Sequence, residues 1–427
     1  MPLFDPVNET VFTWAAPPVK FGAGALEELG WDVASLGARR CLLLSDPGVA
    51  ATGLAGRAAD ILRKADVEVQ VYSDVAVEPT DESVEQAAQY ARGYNWDALV
   101  ALGGGSVIDT AKAVNLLITQ PGELMEYVAA PVGAGRPLEK KVLPLVAVPT
   151  TAGTGSESTT ICVIDLLGLR LKAGISHHSL RPVFALIDPL TTITLPPEVS
   201  AACGIDVLSH ALESYTAKPF DARPRITSPA QRVAFAGANP ISDLWCEQAI
   251  KLVGCNLRKV VCNGYDLPAR TAMMLASSYA GIGFGNAGTH LPHANAYPVA
   301  GLVQDYRAHG YPTMPMVPHG QAVGSTAIPS FRFTYPSDPD RHLRAAYLLS
   351  GRSADPDMGE EALPEALRSL MADIDMPMGI SAFGFGEADV PALVEGTMKQ
   401  QRQLGVVPRP VSPQALERIY KESLAQR

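Results

Sequence analysis

The sequence lacks the features that define several classes of protein. No apolar run approaches the ~18 residues of a membrane-spanning helix, and we find no repeat or low-complexity tract. Charged residues make up only 18% of the 427 residues, and the net charge of −10 leaves no basic stripe for nucleic acid. The remaining composition, with 47% hydrophobic residues, is typical of a soluble enzyme with more than one domain. We therefore expect small-molecule partners, with no nucleic acid and no membrane.

Cysteine is also scarce in this chain. The six cysteines are scattered and form no CxxC pair, which argues against a disulfide or zinc framework and favours reduced thiols. The N-terminal stretch MPLFDPVNETVFTW has an early acidic residue and lacks the basic-then-apolar layout of a signal peptide. From these two observations we expect a cytoplasmic protein.

The first 190 or so residues alternate short β-rich runs with helical patterns. The predicted strands are 40–45, 67–72, 97–104, 143–150 and 182–188, and the predicted helices between the first four are 51–64, 81–93 and 106–117. Near-continuous apolar strands separated by helices indicate a parallel sheet that is buried on both faces. The sequence thus predicts an α/β domain with a Rossmann-like parallel sheet over residues 1–192.

The character of the chain changes after residues 188–197. Strand signals nearly vanish, and long helical patterns follow at 198–216, 240–262 and 266–282. We therefore predict an all-helical second domain over residues 193–427. Within it, 218–239 is rich in proline and arginine and indicates a long excursion between helices, a length of loop that is usually functional or disordered.

A glycine-rich turn connects the third predicted strand to a helix, in LVALGGGSVIDTAK (99–112). Gly103, Gly104 and Gly105 allow the backbone to approach a ligand closely. The helix that begins at Ser106 would present free N–H groups, which is the arrangement that binds pyrophosphate. The alternative is a plain glycine turn in which Ser106 only caps the helix.

A second polar loop, VPTTAGTGSES (148–158), also follows a predicted strand. Its hydroxyl groups could bind ribose and phosphate or simply form a polar turn. Two such loops at the carboxyl ends of parallel strands favour a nucleotide site. Asp46, at the end of the first predicted strand, could accept bonds from the adenosine ribose and so favour NAD over NADP. It could equally be a turn residue before Pro47.

Histidine is scarce, with eight in the chain. Three of these histidines nevertheless stand out, together with one aspartate, as candidate metal ligands. Asp206 and His210 lie four residues apart in the apolar helical segment GIDVLSHALESY, so both would project from one helix face. Burying them is costly unless they pair with each other or hold a third group. His293 and His319 each stand at a predicted helix start. One Asp and three His suit Fe(II), Zn(II), Mn(II) or Co(II), although each histidine alone could be a core or capping residue.

Several of these motifs occur together in one known family. The segments GGGSVIDTAK, PTTAGTGSE, GIDVLSHALESY, GFGNAGTHLPH and VPHG resemble, in order and spacing, those of the iron-containing (group III metal-dependent) alcohol dehydrogenases. The resemblance covers nearly the whole chain. It implies a dinucleotide-binding domain followed by a helical metal-binding domain of the dehydroquinate synthase-like kind, with NAD(H) and Fe(II), or alternatively Zn(II), as cofactors. It also implies a homodimer or a higher homo-oligomer.

The resemblance assigns roles to individual positions. It implies that the catalytic metal is held by Asp206, His210, His293 and His319. It places the cofactor contacts at Asp46, Gly104, Gly105, Ser106, Asp109, Thr150, Thr151, Thr154, Ser156 and Lys172, with Leu190 beside the nicotinamide.

Within the family, the sequence looks most similar to the hydroxyacid–oxoacid transhydrogenase branch. The segments VEPTDES, ANPISDLW and YPVAGLV and the long stretch from about Pro219 to Ala238 support that similarity. Many family members carry a histidine where this chain has Tyr297, and a tyrosine with an ordinary pKa near ~10 is a poor base at neutral pH. The branch implies 4-hydroxybutyrate as hydride donor and 2-oxoglutarate as acceptor. Because both carry carboxylates, Arg223, Arg225 and Arg232 are candidate ligands, or else solvated loop charges.

Three functions are therefore considered. The first is a metal-dependent oxidoreductase, either a transhydrogenase or an NAD-dependent alcohol dehydrogenase that acts on another small alcohol or aldehyde. The second is a lyase similar to dehydroquinate synthase, which should show a site richer in Lys and Arg than the Asp206 helix offers. The third is a binding or structural protein, which loss of a ligand or of the glycine turn would have supported.

Overall fold

The computed structural model describes residues 7–130, 132–169, 171–352 and 356–424. The first six residues, which contribute to the predicted location, lie outside that part of the chain. The described residues form two compact units. The sheet unit comprises residues 16–196 and 264–274, and the helical unit comprises the described residues of 1–15, 197–263 and 275–427.

The sheet unit is an α/β structure. Its strands are β1 (Val19–Phe21), β2 (Arg40–Leu44), β3 (Glu68–Tyr72), β4 (Ala98–Gly103), β5 (Leu145–Pro149), β6 (Ile161–Leu166), β7 (Leu171–Ser176) and β8 (Phe184–Ile187). Its helices are α1 (Leu29–Ser35), α2 (Pro47–Ala51), α3 (Leu54–Lys64), α4 (Asp81–Ala91), α5 (Gly105–Thr119) and α6 (Leu124–Tyr127). Six strands pair in parallel in the order β1-β8-β5-β4-β2-β3, and β6 and β7 form a separate antiparallel pair.

Both faces of the parallel sheet are buried, as the apolar strands predict. Successive side chains of β2 point to opposite faces, so Leu42 and Leu44 pack with α4 and α5. Cys41 and Leu43 pack with α1 and α3 on the other face. Each fully buried leucine contributes about 1.5–3 kcal/mol relative to an exposed one. The sheet is therefore held from both sides, and its strand ends are fixed in position.

The helical unit begins with α7. Its helices are α7 (Pro197–Tyr215), α8 (Pro240–Cys262), α9 (Leu267–Ala287), α10 (Leu291–Leu302), α11 (His319–Thr334), α12 (Pro339–Ser350), α13 (Ala362–Asp373), α14 (Val390–Met398), α15 (Gln401–Leu404) and α16 (Pro413–Leu424). The first residues of α9, up to Met274, belong to the sheet unit, where Met274 packs with Ala185 and Ile187. No helix among the described residues has both the length and the apolar character needed to cross a membrane.

The predicted fold class is confirmed, and the differences are local. All five predicted strands and all six predicted helices form, with shifted ends, while β1 and the β6–β7 pair were not predicted. The division into units differs from the predicted domains at the N-terminus, because the Glu9 N–H donates to the Arg223 carbonyl (2.8 Å) and Asn8 bridges Pro224. Residues 7–15 therefore cluster with the helical unit.

The long excursion between α7 and α8 closes on itself at its base. Pro219 pairs with Ala238 in an isolated parallel bridge, and the Phe220 N–H donates to the Ala238 carbonyl (3.0 Å). The ring of Phe220 packs edge-on against Phe12, with 4.8 Å between centroids. The predicted loop is thus anchored at both ends and against the N-terminal segment.

Candidate metal and nucleotide sites

Asp206 and His210 lie on the same face of α7, one turn apart. Their neighbours Ile205, Val207 and Leu208 are buried, and this apolar sequence fixes the helix in the core. Asp206 is 2% exposed and His210 is 4% exposed. His210 Nε2 lies 3.8 Å from Asp206 Oδ1, and its ring stacks on Phe284 at 3.9 Å.

The other two predicted ligands reach the same carboxylate from different helices. His293 is in the first turn of α10, and its Nε2 lies 3.4 Å from Asp206 Oδ1. His319 opens α11 after Pro318, and its Nε2 lies 3.8 Å from the same oxygen. Three imidazole nitrogens therefore surround one carboxylate oxygen, although they come from segments that are distant in sequence.

The cluster includes buried side-chain atoms without a hydrogen-bond partner in the described part of the chain. Among them are Asp206 Oδ1 and His293 Nε2. Leaving a buried polar group unsatisfied costs about 1–3 kcal/mol. The ligand atoms of Asp206, His293 and His319 all lie within 4.8 Å of one another. A mixed oxygen and nitrogen set at this separation fits a divalent transition metal. His210 is outside that three-residue group, while its Nε2 remains 3.8 Å from Asp206 Oδ1.

Charges within the cluster shift its pKa values in the direction that keeps the carboxylate ionised. Burial opposes ionisation of Asp206, but the imidazoles of His210, His319 and His293 outweigh it and lower its pKa below the ordinary value. Burial also disfavours the charged form of His293, whereas Glu213 and Asp206 favour it and raise its pKa to about 9. His293 therefore holds a proton at neutral pH, which a metal would have to displace in order to bind here.

Glu213 was missed by the sequence analysis. It is fully buried on α7, and its Oε1 lies 2.6 Å from His293 Nδ1. Its Oε2 accepts a hydrogen bond from the His290 N–H at 2.7 Å. A carboxylate at Nδ1 holds the proton there and leaves Nε2 as the metal-binding atom. The available signal was the spacing, since residues 206, 210 and 213 form one helical stripe.

Three neighbouring strands of the sheet unit end in the predicted nucleotide-binding residues. Strands β2, β4 and β5 lie side by side, so their carboxyl ends bring Asp46, the glycine turn and Thr150 to one edge of the sheet. The Thr150 N–H donates to the Gly103 carbonyl at 3.0 Å, which joins the two predicted loops. Open parallel sheets bind ligands at this edge.

The glycine turn packs closely on the threonines of the second loop. A Cβ on Gly104 would lie 3.3 Å from Thr151 Oγ1, and one on Gly105 would lie 2.6 Å from Thr154 Oγ1. Gly104 precedes α5 and provides no side-chain cap. Ser106 does not cap the helix either, because its Oγ accepts a bond from the Glu78 N–H (3.1 Å). The N–H groups at the start of α5 are thus left without a capping side chain, as a phosphate site requires.

The remaining predicted cofactor contacts have partners within the protein. Asp46 caps α2 by accepting from the Val49 N–H (3.0 Å), so the turn role considered above is present. Asp109 accepts from Ser156 Oγ and from the Val163 N–H. Lys172 forms an ion pair with Glu78. Leu190 is 39% exposed and its N–H donates to Asp188.

Lys112, which the sequence analysis did not single out, fixes the second loop. Its side chain is fully buried and donates to the carbonyl and hydroxyl oxygens of Ser156 (both 2.7 Å). It also donates to Thr159 Oγ1 (3.0 Å) and to the Ile161 carbonyl (2.7 Å). Four acceptors satisfy a buried ammonium group, and in return that group determines the path of the loop.

Comparison with known proteins identifies the family of the chain that carries these two candidate sites. Residues 16–189 match the family model described as iron-containing alcohol dehydrogenase, and residues 233–424 match its C-terminal model. The chain belongs to the iron-containing alcohol dehydrogenase family. As the resemblance implied, it is an oxidoreductase of alcohols or hydroxyacids, and the lyase and non-catalytic alternatives are not supported.

Relatives of this iron-containing alcohol dehydrogenase match along nearly its whole length. The hydroxyacid–oxoacid transhydrogenase of Bos taurus is 43% identical over 98% of this chain and 91% of its own. The Homo sapiens protein of that name is 42% identical over 98% of this chain and 90% of its own.

Solved structures agree on the fold. A 1,3-propanediol oxidoreductase superposes with a TM-score of 0.85 at 29% identity, covering 97% of this chain and all of its own. A sulfoacetaldehyde reductase from Bifidobacterium kashiwanohense, solved with NAD+, gives 0.81 at 26% identity over 98% of this chain and 100% of its own.

The predicted cytoplasmic location of this dehydrogenase is wrong by the same comparison, because these transhydrogenase relatives are named as mitochondrial proteins. The physical reason is that unpaired cysteines distinguish a reducing compartment from an oxidising one. They do not distinguish one reducing compartment from another.

Tyr297, where the family resemblance had implied a histidine in many members, lies one helical turn after His293 on α10. The ring of Tyr297 stacks near that of His319, with centroids 6.3 Å apart and planes at 26°. Arg402 Nη2 donates to Tyr297 Oη at 3.4 Å. Tyr297 therefore connects the metal-site histidines to a cation on α15.

The three arginines of the long excursion, which were candidates for binding a substrate carboxylate, contact the N-terminal segment instead. Arg232 forms an ion pair with Glu9 (3.3 Å) and donates to the Val11 carbonyl. The backbone of Arg223 pairs with Glu9, and that of Arg225 pairs with Val7. These arginines attach residues 7–11 to the excursion.

Proposed function

We propose that this enzyme is a hydroxyacid–oxoacid transhydrogenase. In this function, hydride from a hydroxyacid such as 4-hydroxybutyrate passes to a bound nicotinamide cofactor and then to an oxoacid such as 2-oxoglutarate. The observation that carries the proposal is the buried cluster around Asp206 Oδ1, with His293 Nε2 at 3.4 Å and two more imidazoles at 3.8 Å. Full-length relatives at 41–43% identity that bear this name support the substrate class.

The proposed metal is Fe(II), with Zn(II) as the alternative. The residues that would hold it are Asp206, His210, His293 and His319. A divalent ion in such a site polarises the substrate oxygen and stabilises negative charge that develops on it. Glu213 holds the proton of His293 at Nδ1 and so keeps Nε2 available. Burial of Asp206, His210 and His293 lowers the local dielectric constant around them, which strengthens these electrostatic interactions.

The carboxyl edge of the parallel sheet is the proposed site for NAD(H). Gly104 and Gly105 let the turn pack against Thr151 and Thr154, and the first N–H groups of α5, which have no capping side chain, would donate to a pyrophosphate. Thr150, Thr151, Thr154 and Ser156 line the second loop at the same edge. Asp46, a half-buried carboxylate at the end of β2, favours a free ribose hydroxyl over a 2′-phosphate and hence NAD over NADP.

The test uses purified protein reconstituted anaerobically with Fe(II). It receives 4-hydroxybutyrate plus 2-oxoglutarate, with and without added NAD, and succinic semialdehyde and 2-hydroxyglutarate are quantified. A transhydrogenase with retained cofactor should form both products in equal amounts without added NAD. The Asp206→Ala variant, treated identically, should form neither product and bind less metal.

Other results would contradict the proposal. If product formation requires stoichiometric NAD, or if only simple alcohols are oxidised, the enzyme is an NAD-dependent alcohol dehydrogenase and the transhydrogenase assignment is wrong. If Asp206→Ala keeps full metal content and turnover, the proposed ligand set is wrong.

A further inference from the structure

We propose that Arg402 binds the carboxylate of the substrate and thereby selects hydroxyacids over uncharged alcohols. This inference rests on the proposed function, because only a substrate with a carboxylate requires such a cation. It assigns this role to one residue of α15 rather than to the arginines of the long excursion, which the sequence analysis considered as candidates.

The position of Arg402 follows from two side-chain contacts. Its Nη2 donates to Tyr297 Oη at 3.4 Å. Tyr297 follows His293 by one turn of α10, and its ring stacks near that of His319. The side chain of Tyr297 therefore links the guanidinium group to His293 and His319, two of the proposed metal ligands. A substrate whose oxygen meets the metal site would extend toward this cation.

The charge of Arg402 is available. In the described part of the chain it forms no ion pair, whereas several other cations of the helical unit do: Arg341 pairs with Asp243 (2.6 Å), Arg344 with Glu247 (2.9 Å) and Lys399 with Glu395 (2.9 Å). A guanidinium group matches a carboxylate with two parallel hydrogen bonds. Arg402 thus has the chemistry to bind a carboxylate that the protein itself does not supply.

A ring from the long excursion also holds the side chain of Arg402 in place. The guanidinium carbon of Arg402 lies 5.2 Å from the centroid of the Phe235 ring, a cation–π distance. Phe235 belongs to the stretch from Pro219 to Ala238, and it is buried at 9% exposure. Tyr297 and Phe235 together hold a flexible side chain in one place, which reduces the entropy lost when a carboxylate binds.

The experiment compares two substrates of equal carbon length on the metal-loaded holoenzyme, with 2-oxoglutarate as the hydride acceptor for both. These are 4-hydroxybutyrate, which carries a carboxylate, and 1-butanol, which does not. The variants are Arg402→Met and Arg402→Lys. The matched control is Arg409→Met, because Arg409 is also exposed and also lies over a phenylalanine ring, that of Phe333, at 4.5 Å.

We expect Arg402→Met to lower kcat/KM for 4-hydroxybutyrate by about 10- to 100-fold, mainly through KM, as loss of a charged hydrogen bond predicts. Its kcat/KM for 1-butanol should change by less than about twofold. Arg402→Lys should recover part of the loss, because an ammonium group keeps the charge but not the paired geometry. Arg409→Met should leave both substrates unaffected.

The possible failures are distinguishable. A wild-type enzyme that oxidises 1-butanol but not 4-hydroxybutyrate contradicts the proposed function before any variant is measured. With the function intact, equal losses on both substrates in Arg402→Met assign Arg402 a purely structural role. An unchanged KM for 4-hydroxybutyrate shows that Arg402 does not contact the carboxylate. Either of these last two results overturns the inference.

Discussion

Two buried carboxylates of α7 contact the two nitrogens of one imidazole. Asp206 Oδ1 lies 3.4 Å from Nε2 of His293, and Glu213 Oε1 lies 2.6 Å from its Nδ1. The two contacts have different consequences. Asp206 would bind the same metal as His293, whereas Glu213 orients the imidazole ring of His293. The effect of Glu213 on the metal can therefore be measured separately.

We predict that Glu213→Gln weakens metal binding by about 10- to 100-fold, the range found for residues that orient metal ligands. An amide can present either its oxygen or its NH2 group to Nδ1, so it no longer fixes the tautomer. Equilibrium dialysis with Zn(II) measures this without turnover. Glu247→Gln is the control, because Glu247 pairs with Arg344 and Tyr215 instead. Equal metal affinity in both variants would show that Glu213 has only a packing role.

Another buried carboxylate, that of Glu157, should make stability depend on pH. Burial raises its pKa to about 7 from an ordinary 4.5, so the folded chain holds a proton that the unfolded chain loses between these values. The stability that the protonated group contributes is therefore lost as the pH rises from about 4.5 to about 7. The free energy of unfolding should fall by about 3 kcal/mol over this range, at 1.36 kcal/mol per pKa unit. Glu157→Gln should be more stable than wild type at pH 8.5 and similar at pH 4.

Urea unfolding midpoints at the two pH values measure this difference. Glu82→Gln, an exposed position on α4, is the control and should follow wild type at both. A Glu157→Gln variant that loses stability at pH 8.5 would show that the ionised carboxylate is stabilised in the fold, contrary to the prediction.

The sequence predicted part of the metal site, and the remainder required the fold. Asp206 and His210 share a face because a helix repeats every 3.6 residues, a local rule that the sequence reveals. His293 and His319 could be joined to them only through the family resemblance, since no spacing rule connects residues on α10 and α11 to α7. Arg402 and Tyr297 meet across 105 residues, a contact that periodicity cannot reveal.

Among the elements of the fold, the start of α5 depends on its glycines. Both predicted loops meet there, and the space between them is filled by Thr151 and Thr154. Strands β2, β4 and β5 were predictable because apolar runs define buried strands. The three-residue β1 was not, because so short an element forms through its pairing with β8 rather than through its own pattern. The β6–β7 pair was not, because it lies outside the parallel sheet and β7 (LKAGIS) has no continuous apolar run.

We predict that Gly105→Ala weakens NAD binding and lowers stability by about 1–3 kcal/mol, the usual cost of overpacking. The added Cβ would lie 2.6 Å from Thr154 Oγ1, so one loop must move. Fluorescence titration with NADH and a urea unfolding curve measure the two effects. Gly56→Ala on α3 is the control, since its Cβ meets nothing within 4 Å. If Gly105→Ala binds NADH as wild type does, the pyrophosphate does not lie at this turn.

At the scale of the whole molecule, the two proposed ligands belong to different units. The metal cluster is built from α7, α10 and α11, and the nucleotide edge from the ends of β2, β4 and β5. Each unit has its own buried core. A ligand that binds a folded unit stabilises that unit by mass action.

We therefore predict that hydrogen exchange separates the two sites. Zn(II) should slow amide exchange in α7, α10 and the start of α11, while NAD should slow it in the turn before α5 and in the loop after β5. Asp206→Ala should abolish the first effect and keep the second. Metal-induced protection at the start of α5 in place of α7 would contradict the proposed assignment.

The pairing of β1 with β8 has a consequence for synthesis on the ribosome. Val19 pairs with Ala185, and residues 7–9 pair with the region of Arg223 and Arg225. At ~5–20 residues per second, the first strand leaves the ribosome roughly 10–30 seconds before its partner is made. During that interval the sheet can grow only around β2, β3, β4 and β5. Strand β1 is thus among the last strands to be paired, and chaperones or proteases can reach it until β8 has been made.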